Sequence, residues 1–204
     1  MPVAPILIEK RGLSLTDRAY IFEPKIEGFR LFLFKNGLET RIFSEQGEDC
    51  TRLFPELHLV PVDGNAILDG EVCCIDPQTE APALRLITDR LRIKTRARAA
   101  SFAFHRPVVY LVWDILQYNG KDLRAKPLIK RKSILESVLK ENRFFRMMPY
   151  VDGDGEAPVA ALQNTRAAEM IAKPKRSLYT GQTPHDWLEV ELSSRQTDHL
   201  MTSC

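Results

Sequence analysis

The residues best suited to chemistry lie in Glu23-Pro24-Lys25-Ile26-Glu27-Gly28-Phe29-Arg30. A lysine amine attacks an electrophile only when neutral, and burial or nearby positive charge favours that form by lowering its pKa. Lys25 is therefore a candidate nucleophile. The plain alternative is a solvated ion pair, because Glu23, Lys25 and Glu27 fall on one face of an extended chain. A second candidate is the carboxylate pair Asp69 and Glu71, two residues apart within Ala66–Ile75. Hard divalent cations take oxygen ligands of this kind, although a solvated polar strand face would read the same way. A third is the basic run Arg90, Arg92, Lys94, Arg96 and Arg98. Such a run can follow a phosphate backbone without reading sequence; with no aromatics interleaved, it can equally be a solvated face. Asp152-Gly153-Asp154-Gly155-Glu156 lacks the remaining ligand positions of a calcium loop and reads as a plain loop.

These residues need positioning elements, and β-prone segments supply most of them. Tyr20–Phe22 and Phe29–Phe34 flank the lysine stretch and predict strand, glycine break and strand. Asn36-Gly37 predicts a hairpin turn leading to Thr40–Phe43. Ala66–Ile75 alternates as a strand with Asp69, Glu71, Ile67 and Cys73 on one face. Pro107–Leu116 is almost continuously apolar, as expected of a strand buried on both faces, with Trp113 a core aromatic by default. Leu84, Ile87 and Leu91 recur at helical spacing and predict a helix over 83–94. Pro127–Glu141 is predicted as a helix with Pro127 in its first turn, a stripe of Leu128, Ile134, Leu135, Val138 and Leu139 inward, and Lys130, Arg131 and Lys132 toward solvent. A short helix is expected over 159–164.

At 204 residues the chain suits one large domain or two small lobes, with 44% hydrophobic and 27% charged residues. A net charge of +2 means that any nucleic-acid contact must come from a local patch. The cysteines Cys50, Cys73, Cys74 and Cys204 form no metal-ligand spacing, and Cys73 and Cys74 read as core packing. No apolar run approaches a membrane span and no signal peptide opens the chain, so a reducing cytoplasm is expected.

Lys25-Ile26-Glu27-Gly28-Phe29-Arg30 resembles the Lys-x-Asp-Gly-x-Arg motif of the covalent nucleotidyltransferases, the superfamily of ATP-dependent DNA ligases, RNA ligases and mRNA capping enzymes. Further stretches follow in the order found in DNA ligases. Ser44-Glu45-Gln46-Gly47 and Phe54-Pro55-Glu56-Leu57 are similar to Ser-Arg-x-Gly…Phe-Pro-Glu-Leu, and Leu68-Asp69-Gly70-Glu71 matches Leu-Asp-Gly-Glu. Trp113-Asp114-Ile115-Leu116…Gly120-Lys121-Asp122-Leu123 resembles Phe-Asp-Leu-Leu…Gly-x-Asp-Leu, continued by a Leu-Arg-x-x-Pro-Leu-x-x-Arg pattern from Leu123. Ser177-Leu178-Tyr179 and Asp186-Trp187-Leu188 match as well. The Phe-Pro-Glu-Leu and Trp-Asp-Ile-Leu stretches favour the DNA branch.

The resemblance implies an α+β fold of two antiparallel sheets flanked by helices around a nucleotide cleft. It implies that Lys25 takes AMP from ATP as a lysyl-AMP phosphoramidate and passes it to the 5′-phosphate of a DNA nick, in repair or recombination. Glu23 would contact adenine, Arg30 and Glu71 the ribose end, Trp113 would stack on the base, and Lys173 would also serve the nucleotide. Glu71 and Glu169 would hold magnesium or manganese. Nicked double-stranded DNA and ATP are the implied partners, with no membrane. The matched region is taken as residues 1–192, a nucleotidyltransferase domain standing alone, and 193–204 as a tail. The OB-fold domain that follows in ligases is expected to be missing, or supplied by a separate OB-fold or repair partner.

The departures are equally specific. Glu45 stands at the family's arginine, Ala168 at a metal-binding glutamate, and Glu189 and Glu191 at two lysines that neutralise the α-phosphate. Glu169 is offset by one residue from the metal position, and such a shift in a strand turns a side chain to the other face. Three cationic positions have become anionic; one unit pair at about 5 Å and an effective dielectric near 20 is worth roughly 3 kcal/mol before screening. Impaired catalysis is the expectation. The alternatives are a degenerate module that binds nucleotide or nicked DNA without chemistry, and a relative of the RNA ligases or capping enzymes.

Overall fold

A computed structural model describes residues 8–10, 17–75, 83–153, 169–180 and 187–191. The helix expected over 159–164, most of the Asp152–Glu156 loop, Ala168, Asp186 and the 193–204 tail lie outside the described residues. The chain divides into two compact units and crosses between them several times, once between Lys25 and Ile26.

One unit is built on a five-stranded sheet. Its strands are β1 (Ile8–Lys10), β2 (Tyr20–Pro24), β9 (Val151–Asp152), β10 (Glu169–Pro174) and β11 (Trp187–Glu191), in the order β1-β11-β10-β2-β9. All pairs are antiparallel except β1 with β11. The register aligns Glu23, Ile171 and Glu189 in one row and Phe22, Ala172 and Leu188 in the next. Because side chains alternate, Phe22, Met170, Ala172, Leu188 and Val190 share one face with Val151 and form an apolar cluster. The other face carries the charged and chemically competent groups.

The second unit holds a six-stranded sheet. It comprises β3 (Phe29–Asn36), β4 (Glu39–Ser44), β5 (Ala66–Cys73), β6 (Val109–Tyr118), β7 (Lys121–Asp122) and β8 (Phe145–Met147), in the order β4-β3-β5-β6-β7 with β8 parallel to β6. Among the described residues this unit carries three α-helices: α1 (Leu84–Leu91), α2 (Arg96–His105) and α3 (Leu128–Val138). The fold is thus the expected α+β class, with two largely antiparallel sheets and few helices. The hairpin falls one residue later than Asn36-Gly37: Asn36 ends β3 opposite Glu39, and Gly37-Leu38 make the turn, with Gly37 at φ 60°, where an L side chain is disfavoured. Leu31, Leu33, Ile42, Leu68, Val72, Tyr110 and Val112 build the core on one face.

Several expectations are corrected. β6 is not buried on both faces: Tyr110, Val112 and Asp114 are buried while Val109, Leu111 and Trp113 are half-buried. Its pairing with β5 shifts register twice, and Trp113 falls at the first irregularity, between Val112 opposite Gly70 and Asp114 opposite Asp69. Such bulges re-aim side chains. In α1, Leu86, Ile87 and Arg90 are buried while Leu84 is exposed. Arg90 leaves the basic run altogether. Its guanidinium is wholly buried, 2.5 Å from Glu56, and donates to the Leu53 carbonyl at 2.6 Å. Arg131 and Lys132 are likewise fully buried rather than solvent-facing. Arg131 makes two 2.8 Å hydrogen bonds to Asp114, which orders α3 along β6. Cys73 and Cys74 are buried free thiols, as their core reading required, and Cys50 is buried as well; burial raises the Cys73 pKa to about 12.

Candidate functional site

Lys25 follows directly on β2, and its backbone N–H donates to the Glu169 carbonyl at 2.9 Å, extending the β2–β10 ladder by one residue. Its ammonium lies 2.5 Å from a carboxylate oxygen of Glu169 and 2.5 Å from one of Glu189. The Glu169 carboxylate therefore lies on the Lys25 side of the sheet, contrary to the turn-away expected from its one-residue offset. Those hydrogen bonds, to Glu169 first and Glu189 second, hold the Lys25 pKa above its ordinary value of 10.5, against a smaller opposing effect of burial. Lys25 is thereby held as an ammonium, the form that cannot attack an electrophile. On the same sheet face, Glu23 and Lys173 form a buried ion pair at 2.5 Å, and the Lys173 ammonium sits 3.6 Å from the centre of the Trp187 ring.

Arg30, Glu71 and Trp113 belong to the six-stranded unit. Arg30 forks onto Asp69 through Nε at 3.1 Å and Nη2 at 2.8 Å. Its Nη1 reaches Glu45 at 3.2 Å, and Nη2 also donates to the Tyr179 hydroxyl at 3.2 Å. The guanidinium carbon lies 5.3 Å from the ring centres of both Phe32 and Trp113. Burial opposes the Arg30 charge, but the Asp69 carboxylate outweighs it, so the pKa stands above its ordinary value. The charge reversal at Glu45 is thus absorbed by the Arg30 cation. Asp69, fully buried and bound by Arg30 and Tyr179, is a structural anchor rather than the cation ligand its spacing suggested.

Tyr179 is the residue that site reasoning missed. Its hydroxyl donates to Asp69 at 2.9 Å, and its ring carries the Arg131 guanidinium at 5.8 Å, linking the Arg30–Asp69 and Arg131–Asp114 pairs. Burial, then Asp69, push its phenol far above the usual range. The Ser177-Leu178-Tyr179 stretch was the available signal. Gly28 has a steric role: a Cβ there would run into the Val72 carbonyl and come within 2.7 Å of Glu71 Cγ. Only glycine lets the chain pass Glu71 so closely.

Glu169 and Glu189 converge on one point, held by the Lys25 ammonium. The resemblance assigns the divalent cation to Glu71 and Glu169; Glu71 belongs to the six-stranded unit, and the Glu169 carboxylate is engaged by Lys25. Among the described residues, no group of three or more His, Cys, Asp and Glu could hold a metal ion, and no helix is long and apolar enough to cross a membrane.

Residues 7–189 match the family described as ATP dependent DNA ligase domain. The chain is 27% identical over 191 residues to the SPbeta prophage-derived DNA ligase-like protein LigB of Bacillus subtilis, covering 93% of this chain and 67% of that protein. It is 30% identical over 144 residues to DNA ligase C2 of Mycolicibacterium smegmatis, covering 69% of this chain but 39% of the relative. Among solved structures, a mycobacterial DNA ligase D complexed with ATP and MES superposes with a TM-score of 0.72 at 22% identity, over 93% of this chain and 60% of that one. That likeness establishes the fold.

Proposed function

The chain belongs to the family of ATP-dependent DNA ligase domains, and from that premise we propose that Lys25 takes AMP from ATP for transfer to a nick in duplex DNA. The neutral Lys25 amine attacks the α-phosphorus of ATP; an N–P bond forms as the bond to pyrophosphate breaks, and the ammonium proton is lost beforehand to solvent. The 5′-phosphate of the nick then displaces lysine from AMP, and the 3′-hydroxyl displaces AMP to seal the strand. Glu23, Lys173, Arg30, Glu71 and Trp113 are proposed to hold the nucleotide. Glu71 and Glu169 would hold a magnesium or manganese ion, which when bound neutralises charge on phosphate oxygens. Nick sealing belongs to DNA repair or recombination, and the buried free thiols suit a reducing cytoplasm.

The observation that carries this reading is the Lys25 ammonium, exposed at the end of β2 and bridged to carboxylates from two neighbouring strands. The same observation favours a second reading, a module that binds nucleotide or nicked DNA with its nucleophile held charged. Incubation with α-labelled ATP and magnesium, followed by a denaturing gel beside Lys25→Ala, separates the two. Label retained by the parent chain and lost in the variant supports the nucleotidyltransferase. No label at any pH leaves the binding module.

A further inference from the structure

A groove of about 720 Å³ in the six-stranded unit is lined by Arg41, Asp49, Thr51, Arg52, His58 and Arg96, among others, and by none of the residues proposed to hold the nucleotide. We propose that this groove is a second, phosphate-binding site that grips the sugar-phosphate backbone of duplex DNA. The inference rests on the DNA-directed reading above.

Charge is the first argument. Three arginines face one aspartate in the lining. Asp49 is already committed to Arg41 at 2.7 Å. Arg52 donates to the Lys94 carbonyl at 3.2 Å, which steadies its side chain and leaves its charge uncompensated. Arg96 has no hydrogen bond or ion pair among the described residues. His58 donates from Nε2 to the Thr51 carbonyl at 2.8 Å, which ties the ring down beside the arginines.

Helix α2 supplies the second argument. It starts at Arg96, capped by Thr95 accepting from the Arg98 N–H, and has no acidic residue in its first turn. A helix N-terminus carries partial positive charge, so cations there oppose stability. Lys94, Arg96 and Arg98 nevertheless crowd this end, and all three are exposed. Their charge adds to the dipole and to Arg52 to form a local anion-attracting field. Of the remaining basic run, Arg96 lines the groove and joins Arg52 there, while Lys94 and Arg98 flank it in sequence.

The lining chemistry selects the ligand. Its one ring is the His58 imidazole, tied down on the Thr51 carbonyl, so the groove offers arginine donors rather than a row of rings for successive unstacked bases. Duplex DNA turns its bases inward and presents phosphates outward, and arginine binds phosphate through paired N–H donors.

The test is binding of a nicked duplex across a salt series, with Lys25 labelling by α-labelled ATP measured in parallel. Each lost phosphate contact makes the slope of log K against log salt less negative by about 0.9, so Arg52→Gln/Arg96→Gln is expected to change it by about 1.8. Labelling of Lys25 should be unchanged, which also reports that the double variant is folded. Lys121→Gln, an exposed charge outside the groove, should leave the slope within the scatter of the parent. An unchanged slope in the double variant, or an equal change in Lys121→Gln, overturns the proposal. Duplex binding that is absent in the parent also overturns it. Label on Lys25 in that case preserves the nucleotidyltransferase reading and discards only the groove.

Discussion

At Lys25 two demands oppose each other. The chemistry requires a free amine, whereas Glu169 and Glu189 stabilise the ammonium. Because the pKa is raised, less amine is present at a given pH than for an ordinary lysine. The rate of AMP labelling should therefore climb about tenfold per pH unit, up to a pKa above the ordinary value of 10.5. Glu189→Gln removes one of the two carboxylate charges while keeping the side chain's shape, so the profile should move to lower pH, with labelling near neutrality rising roughly tenfold. Glu189→Lys should raise it further by adding like charge. A profile unmoved by either substitution would mean that Glu189 does not govern the nucleophile. Arg30 shows the same logic with the opposite outcome: Glu45, where the resemblance called for arginine, has become one of its partners.

At the scale of elements, α3 and β6 are held by a charge pair that the apolar stripe of α3 did not announce. Arg131 and Asp114 are both completely buried. Removing one member of such a pair leaves an uncompensated charge in a dry environment, at a cost of about 3–5 kcal/mol. Arg131→Met should lower the unfolding free energy read from urea titration by that amount, and Asp114→Leu combined with it should recover part of the loss. A single substitution costing less than about 1 kcal/mol would show that water reaches the pair. The helix spacing around 127–141 correctly indicated α3, and Leu128 and Leu135 do face inward. Periodicity could not reveal that Arg131 and Lys132 share that interior, because it scores charge as exposure and ignores a partner seventeen residues away. Likewise, Arg90 displaces Leu84 from the buried face of α1 because Glu56 waits beneath it. The bulge at Trp113 was equally invisible, since it exists only relative to β5.

The Lys25–Arg30 motif is shared between two units, with Lys25 in one and Arg30, on β3, in the other. A net charge of +2 leaves affinity for DNA to local placement. The reading as a DNA ligase domain, rather than a relative of RNA ligases or capping enzymes, makes a whole-chain prediction. Labelled ATP should charge the protein and labelled GTP should not, and the charged form should discharge onto nicked DNA in preference to nicked RNA. Preferential GTP charging would move the chain to the capping branch. Local order and chemical type were legible along the chain itself. The motif Lys25-x-Glu-Gly-x-Arg30, a hairpin within one residue of Asn36-Gly37 and the strand bearing Glu71 follow from residue type and spacing, because alternation and turn preference act over a few residues; the α+β class followed from the resemblance. Tertiary structure decided the electrostatics. Glu189 lies 164 residues from Lys25 and meets it only through the registers of β2, β10 and β11. Tyr179 reaches Asp69 across 110 residues. Charge acts through space rather than along the chain, so which carboxylate holds which cation was settled only once the strands had paired.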